Sequence, residues 1–288
     1  MNRSLPSLKI LARLLFNHMD AWGTTLIVAT LALLLHNATN LQMLLLLLAL
    51  TAGYWFAFAV NDYFDASADA ADARKARRNV FVSHAPGRRE MLLLTLPTFI
   101  FLFLAFAQFG RRGIVTLVLS LFIMWGYSAP PLRFKSRPGL DLLVHAFFVE
   151  TFPYFVCLIL IDAAWTRLDD VLLAILFLSS LAAQLEQQVR DYAVDAQTGR
   201  TFVTVLGRDR AVHLVRGITL ALILLAAANI LNGVIPPFVV VFGFIGLPAL
   251  LHRFIRRRER PRSEKLVYAS ATTALLYTGV IFIYTILS

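Results

Sequence analysis

Long apolar runs separated by short polar segments set the pattern of this chain. Nine runs lie near 14–36, 41–61, 91–109, 113–130, 140–161, 169–190, 211–231, 234–252 and 266–287. Each comes close to the roughly 20 mainly apolar residues that a helix needs to cross the hydrocarbon core. The runs are long and do not alternate polar with apolar, which excludes transmembrane strands. The pattern predicts an all-α integral membrane protein with nine transmembrane helices. Polar Asn17, His18 and Asp20 interrupt the first run, and no small-residue cleavage site follows it. That run is therefore expected to stay as a helix rather than leave as a signal peptide.

Composition supports this reading. Hydrophobic residues make up 59% of the 288 and charged residues 15%, against about 25% charged in ordinary globular domains. A soluble surface, a disordered chain and a collagen-like fibre are excluded. A single cysteine, Cys157, excludes an internal disulfide framework. The net charge of +10 does not point to nucleic acid, because the cations fall in short segments between apolar runs. Twenty-four of the 27 basic residues lie before the first run or at every second connection, counting Arg190 and Arg216 just inside the flanking runs; only Arg111, Arg112 and Arg167 lie in the others. The positive-inside rule then predicts a cytoplasmic N-terminus, a C-terminus on the opposite side and an odd number of spans in the cell membrane.

The second connection opens with N-D-Y-F-D-A-S-A-D-A-A-D, Asn61 to Asp72, holding four of the seventeen acids. If the second helix continues here, Asp62, Asp65, Asp69 and Asp72 fall at i, i+3, i+7 and i+10, and their carboxylates share a face. Like charges so placed need compensation. Divalent cations provide it, and hard oxygen ligands favour Mg²⁺. A solvated acidic segment capping a helix is the plainer alternative.

A second acidic segment favours the metal. Arg190 to Thr201 reads R-D-Y-A-V-D-A-Q-T-G-R-T, with Asp191 and Asp195 at i, i+4. Asp65, Asp69, Ala70 and Arg74 map to Asp191, Asp195, Ala196 and Arg200 with a constant offset of 126 residues, and both segments read D-x-x-x-D-A-x-x-x-R. This repeat predicts one domain over 1–288 with repeat-like halves, roughly 1–135 and 136–288. Carboxylates ringed by cations suit a metal-bridged diphosphate, with Arg74 and Arg200 forking onto phosphate oxygens. The first half closes on Y-S-A-P-P-L-R-F-K, Tyr127 to Lys135. Pro130 and Pro131 end a helix, Arg133 and Lys135 add cations, and Tyr127 and Ser128 can donate to a phosphate or to backbone.

These motifs together resemble the UbiA superfamily of intramembrane prenyltransferases. Its N-D-x-x-D-x-x-x-D motif matches Asn61, Asp62, Asp65 and Asp69. Its second aspartate motif matches Arg190, Asp191, Asp195, Gly199 and Thr201, and its Y-S-x-P-P-x-R-x-K segment matches Tyr127 to Lys135. Arg200 stands where the family commonly has lysine, so a planar fork replaces a point charge. The resemblance implies nine helices around a central cavity. It implies Mg²⁺ ligation by Asn61, Asp65, Asp69, Asp191 and Asp195, and diphosphate contacts from Arg74, Tyr127, Ser128 and Lys135. The expected activity is Mg²⁺-dependent transfer of a prenyl group from an allylic isoprenyl diphosphate to a lipophilic acceptor, either an aromatic quinone-type ring or a carotenoid-type polyene. Y-S-A-P-P-L-R-F-K-S-R-P and K-A-R-R-N-V-F-V-S lean toward the carotenoid-elongating branch. A terpene cyclase of the same family needs no separate acceptor.

Two rivals fit less well. A multi-pass transporter predicts helices broken at mid-membrane, whereas these polar clusters sit at helix ends. A CDP-alcohol phosphotransferase needs both aspartate pairs in one glycine-spaced stretch, and here they lie 126 residues apart. Several polar residues remain inside the runs: His145, Glu150, Gln184, Glu186, Gln187 and Gln188. Such groups are costly at membrane depth, and serve either an acceptor pocket or interhelical hydrogen bonds. Asp141 is placed to cap a helix start. Phe147, Phe148, Phe152 and Phe155 either line a tunnel for an isoprenoid tail or face lipid and core.

Overall fold

The computed structural model describes residues 8–85, 88–198, 200–257 and 263–287. Among the described residues every regular element is helical. Two compact units emerge: one holds the residues up to Leu26 together with Asn40–Arg133, the other Ile27–Thr39 together with the chain from Phe134 onward.

The first unit contains α1 (Leu8–Asn17), the beginning of α2 (Met19–Leu35), α3 (Leu41–Asp69), α4 (Ala73–Arg78), α5 (Val80–Ser83), α6 (Arg88–Ala107) and α7 (Gly110–Ser128). Asn40 starts α3 by accepting a hydrogen bond from the Met43 amide at 3.0 Å. The 29 residues of α3 extend about 44 Å at 1.5 Å per residue, well beyond a hydrocarbon core of about 30 Å. Its acidic end therefore projects past the apolar zone. After α3 the chain turns back, and Val80 and Phe81 bury against Leu14, Trp55, Ala59 and Ala66. That packing returns Asn79 to the end of α3. The α6–α7 turn is tight: a Cβ on Gly113 would stand 1.9 Å from the Phe106 carbonyl oxygen, so only glycine fits.

The second unit continues with a short 3₁₀ turn (Phe134–Ser136), α8 (Leu140–Ala146), a π turn (Phe147–Thr151), α9 (Phe152–Leu160), α10 (Arg167–Thr198), α11 (Phe202–Leu206), α12 (Arg208–Leu231), α13 (Pro237–Ile255) and α14 (Glu264–Leu287). Pro153 has no amide proton to return to the preceding turn, and the helix widens just ahead of it. Asp169 secures the start of α10, accepting from Thr166 Oγ1 at 2.6 Å and from the Tyr154 hydroxyl at 2.7 Å. A core of Leu142, Leu185, Val189, Val203, Ala211, Val212 and Val215 joins α8, α10, α11 and α12. The 32 residues of α10 extend about 48 Å, so it too outruns the apolar zone and carries its aspartates on the surplus.

Seven helices among the described residues are long and apolar enough to cross a membrane, which makes this a multi-pass integral membrane protein. Two of the nine expected runs differ. The run at 14–36 breaks at His18 into α1 and α2, leaving the shorter apolar stretch Ala21–Leu35. The run at 113–130 lies in α7, whose first turn carries Arg111 and Arg112. Exposed Leu92, Leu96, Phe103, Leu224, Leu276 and Val280 on α6, α12 and α14 suit a lipid-facing surface.

Candidate active site

The sequence-predicted residues fall into two groups, one per unit. In the first, Asp65 and Asp69 occupy the last turns of α3, half-buried, one turn apart on one helix face. Asp69 Oδ2 accepts from Asn79 Nδ2 at 2.9 Å, and the same nitrogen donates to the Asp62 carbonyl at 2.7 Å. Asn79 itself is buried and its Oδ1 accepts from the Phe81 amide at 2.9 Å. Arg133 Nη2 lies 3.6 Å from Asp65 Oδ1. Its backbone has φ of 39°, in the left-handed region, and its buried Nε has no hydrogen-bond partner among the described residues. Ser128 is buried and donates to Asn61 Oδ1 at 2.9 Å. Tyr127 stands half-buried one residue earlier, on the last turn of α7.

The expected row of four carboxylates is only partly formed. Asp62 is buried and meets His18 Nε2 at 2.8 Å, with the His18 ring stacked on Phe58. Asp72 lies past the end of α3, where its Oδ1 accepts from the Lys75 amide and caps α4. The helix stops at Asp69, so the fourth acid leaves the shared face. Arg74 belongs to α4, and its side chain lies outside the described residues.

In the second group, Asp191 and Asp195 lie one turn apart near the end of α10, both half-buried. Arg190 grips the Asp191 carboxylate with two bonds, Nε at 3.0 Å and Nη2 at 3.2 Å, and also donates from Nη1 to Glu264. Arg190 thus holds the first aspartate of the pair to the start of α14. Lys135 is half-buried in the 3₁₀ turn, and Arg200 is exposed between α10 and α11. Gly199 lies outside the described residues. Thr201 caps α11 in a reciprocal box with Thr204. The repeat therefore keeps exact spacing in sequence and is unequal in structure: Arg74 sits in a helix, Arg200 in a link.

Among the described residues no three His, Cys, Asp or Glu side chains form a ready metal cage. Half-buried carboxylate pairs nonetheless fit Mg²⁺, which takes one or two protein carboxylates together with substrate phosphates rather than a dedicated protein cage.

A family profile, the UbiA prenyltransferase family, matches residues 21–276. The chain belongs to the UbiA prenyltransferase family. Solved structures of UbiA homologues share the fold. One from Archaeoglobus fulgidus, bound to GPP and Mg²⁺, has a TM-score of 0.74 at 18% identity, covering 95% of this chain and 98% of that one. An apo UbiA homologue from Aeropyrum pernix K1 has a TM-score of 0.71 at 16% identity, covering 92% and 98%. A lycopene elongase/hydratase from Corynebacterium glutamicum is 30% identical over 181 residues, 59% of this chain and 58% of that protein's length.

Local spacing in this UbiA chain gives His18, Asn79 and Glu264 no role in holding the aspartates, and gives Asp141 and Gln188 smaller parts than they have. Asp141 is not the cap of α8: Gly139 holds that position without a side-chain cap bond, and Asp141 lies in the first turn. Its carboxylate accepts from the Gly139 amide at 2.7 Å, from Gln188 Nε2 at 2.8 Å and from the Phe202 amide at 2.8 Å. Glu186 pairs with Arg253 Nη2 at 2.9 Å, and Arg253 Nη1 donates to Thr219 at 3.1 Å. Glu186 and Gln188 are thus spent on interhelical bonds, while the buried Gln184 Oε1 has no partner among the described residues. Phe147, Phe148, Phe152 and Phe155 pack on one another, Phe148 and Phe152 stacked at 5.0 Å.

Proposed function

We propose that this protein transfers a prenyl group from an allylic isoprenyl diphosphate to a polyene acceptor in the membrane, with Mg²⁺ as cofactor. The observation that carries the reading is the repeated aspartate pair, Asp65/Asp69 and Asp191/Asp195, each on a helix that outruns the bilayer core and each beside an arginine. Asn61 and the four aspartates would hold Mg²⁺, which when bound offsets the charge of the leaving diphosphate. Arg74, Arg133, Lys135 and Arg200 bind phosphate oxygens as charged donors, and Tyr127 adds a hydroxyl. Ser128 acts by orienting Asn61, to which it donates.

As the allylic C–O bond breaks, its electron pair leaves with the diphosphate. The acceptor's π electrons form the new C–C bond, and the resulting cation either loses a proton to give an alkene or adds water and then loses a proton to give an alcohol. Apolar surroundings shield the allylic cation from premature quenching. A polyene is favoured over an aromatic ring by the likeness to a lycopene elongase/hydratase. The charge asymmetry supports cytoplasmic aspartate segments and N-terminus, with the C-terminus opposite.

The test supplies purified protein in lipid nanodiscs with Mg²⁺, labelled dimethylallyl or geranyl diphosphate, and either lycopene or a 4-hydroxybenzoate-type acceptor. Label in a polyene of increased mass, lost with excess chelator, supports the proposal. Label only in the aromatic product, or in a cyclised hydrocarbon without acceptor, overturns the polyene assignment.

A further inference from the structure

We infer that Asp141, working through Gln188, is a positioning residue that sets Lys135 and Arg200 against the aspartates of α10. The inference rests on the proposal that these cations and carboxylates act on the diphosphate.

Three segments of the second unit meet at Asp141, which is 1% exposed. The first is the turn carrying Lys135. The Arg137 amide donates to the Phe134 carbonyl at 3.0 Å, the Asp141 amide to the Arg137 carbonyl at 3.0 Å, and the Gly139 amide to Asp141 Oδ1 at 2.7 Å. The second is α10. Gln188 donates to Asp141 Oδ2 at 2.8 Å and lies three residues before Asp191 and seven before Asp195, on the same helix face. The third is the segment after Arg200. The Phe202 amide donates to Asp141 Oδ2 at 2.8 Å, and the Val203 amide donates to Gln188 Oε1 at 3.1 Å.

The accounting at the start of α11 is complete. A helix start leaves its first amides without intrahelical partners. Here Asp141 takes the first, Gln188 the second, and Thr201 Oγ1 the third, from the Thr204 amide at 3.3 Å. A five-residue helix cannot hold itself, so these bonds and the burial of Val203 decide where Arg200 stands. One carboxylate thereby fixes the backbone of both cation-bearing links to the helix that bears the metal-binding aspartates.

The test measures Michaelis constants for the prenyl diphosphate and for the acceptor in Asp141→Asn, Gln188→Glu and Arg200→Gln, and in the combinations. Asp141→Asn and Gln188→Glu each set donor against donor or acceptor against acceptor. Each is expected to raise the prenyl-diphosphate KM by on the order of tenfold, with the acceptor KM unchanged. Adding Arg200→Gln to Asp141→Asn should raise it little further, because a misplaced arginine has little left to lose. Joining Asp141→Asn with Gln188→Glu restores a donor–acceptor pair and should recover part of the loss, even where one single variant folds poorly. If the effects of Asp141→Asn and Arg200→Gln multiply, or if Asp141→Asn alters both KM values alike, the positioning role is overturned. If Arg200→Gln alone leaves the prenyl-diphosphate KM at the wild-type value, the diphosphate role of Arg200 fails first and the inference falls with it.

Discussion

Asn79 Nδ2 lies 2.9 Å from Asp69 Oδ2, so a buried amide orients one carboxylate of the first aspartate pair. The same amide holds the Asp62 carbonyl and the Phe81 amide. Replacing Asn79 by leucine leaves buried polar groups unpaired, at a cost of about 1–3 kcal/mol each. The expected result is a fall of several degrees in the melting temperature of the detergent-solubilised protein, with a loss of prenyl transfer larger than the unfolded fraction accounts for. Wild-type activity in Asn79→Leu would show that Asp69 needs no such support.

Asp65→Ala and Asp191→Ala should each nearly abolish transfer of labelled prenyl groups while the protein still inserts and remains monodisperse. Excess chelator should do the same to the wild type, with recovery on adding Mg²⁺. Full turnover in either variant would rule out a mechanism that needs both aspartate pairs.

Ala70 and Ala196 are exposed and follow equivalent aspartates of the two motifs. In a Cys157→Ser background, single cysteines introduced at these two positions should react with a membrane-impermeant maleimide from the cytoplasmic side only. Labelling from opposite faces would separate the two motifs and break the shared mechanism.

Arg253 and Glu186 form a buried ion pair at 2.9 Å, with side chains 8% and 5% exposed. Removing one partner strands a charge, so Arg253→Met should destabilise by about 3–5 kcal/mol. Joining it with Glu186→Leu should recover most of that, since apolar replacements of both partners are often neutral. Thermal unfolding of the single and double variants checks this. A double variant no better than Arg253→Met would mean that the loss comes from Arg253's further bond to Thr219 Oγ1 rather than from the stranded Glu186 charge.

Hydrophobic run length and local spacing are properties of the chain itself. They determined the helical membrane class, the ends of α3 and α10 as polar ground, and the repeated pairs Asp65/Asp69 and Asp191/Asp195, because helix periodicity alone places residues four apart on one face. The widened turn before Pro153 has its cause in the sequence as well, although proline alone does not say how the helix adjusts. Tertiary structure decided which acids remain available and what supports them. Asp62 turns to His18 across 44 positions, Arg190 reaches Glu264 across 74, and Asp141 reaches the Phe202 amide across 61. None of these pairs has a local signature. Each forms because a buried polar group must find a partner, and only the packed arrangement of helices within each unit determines which partner is within reach.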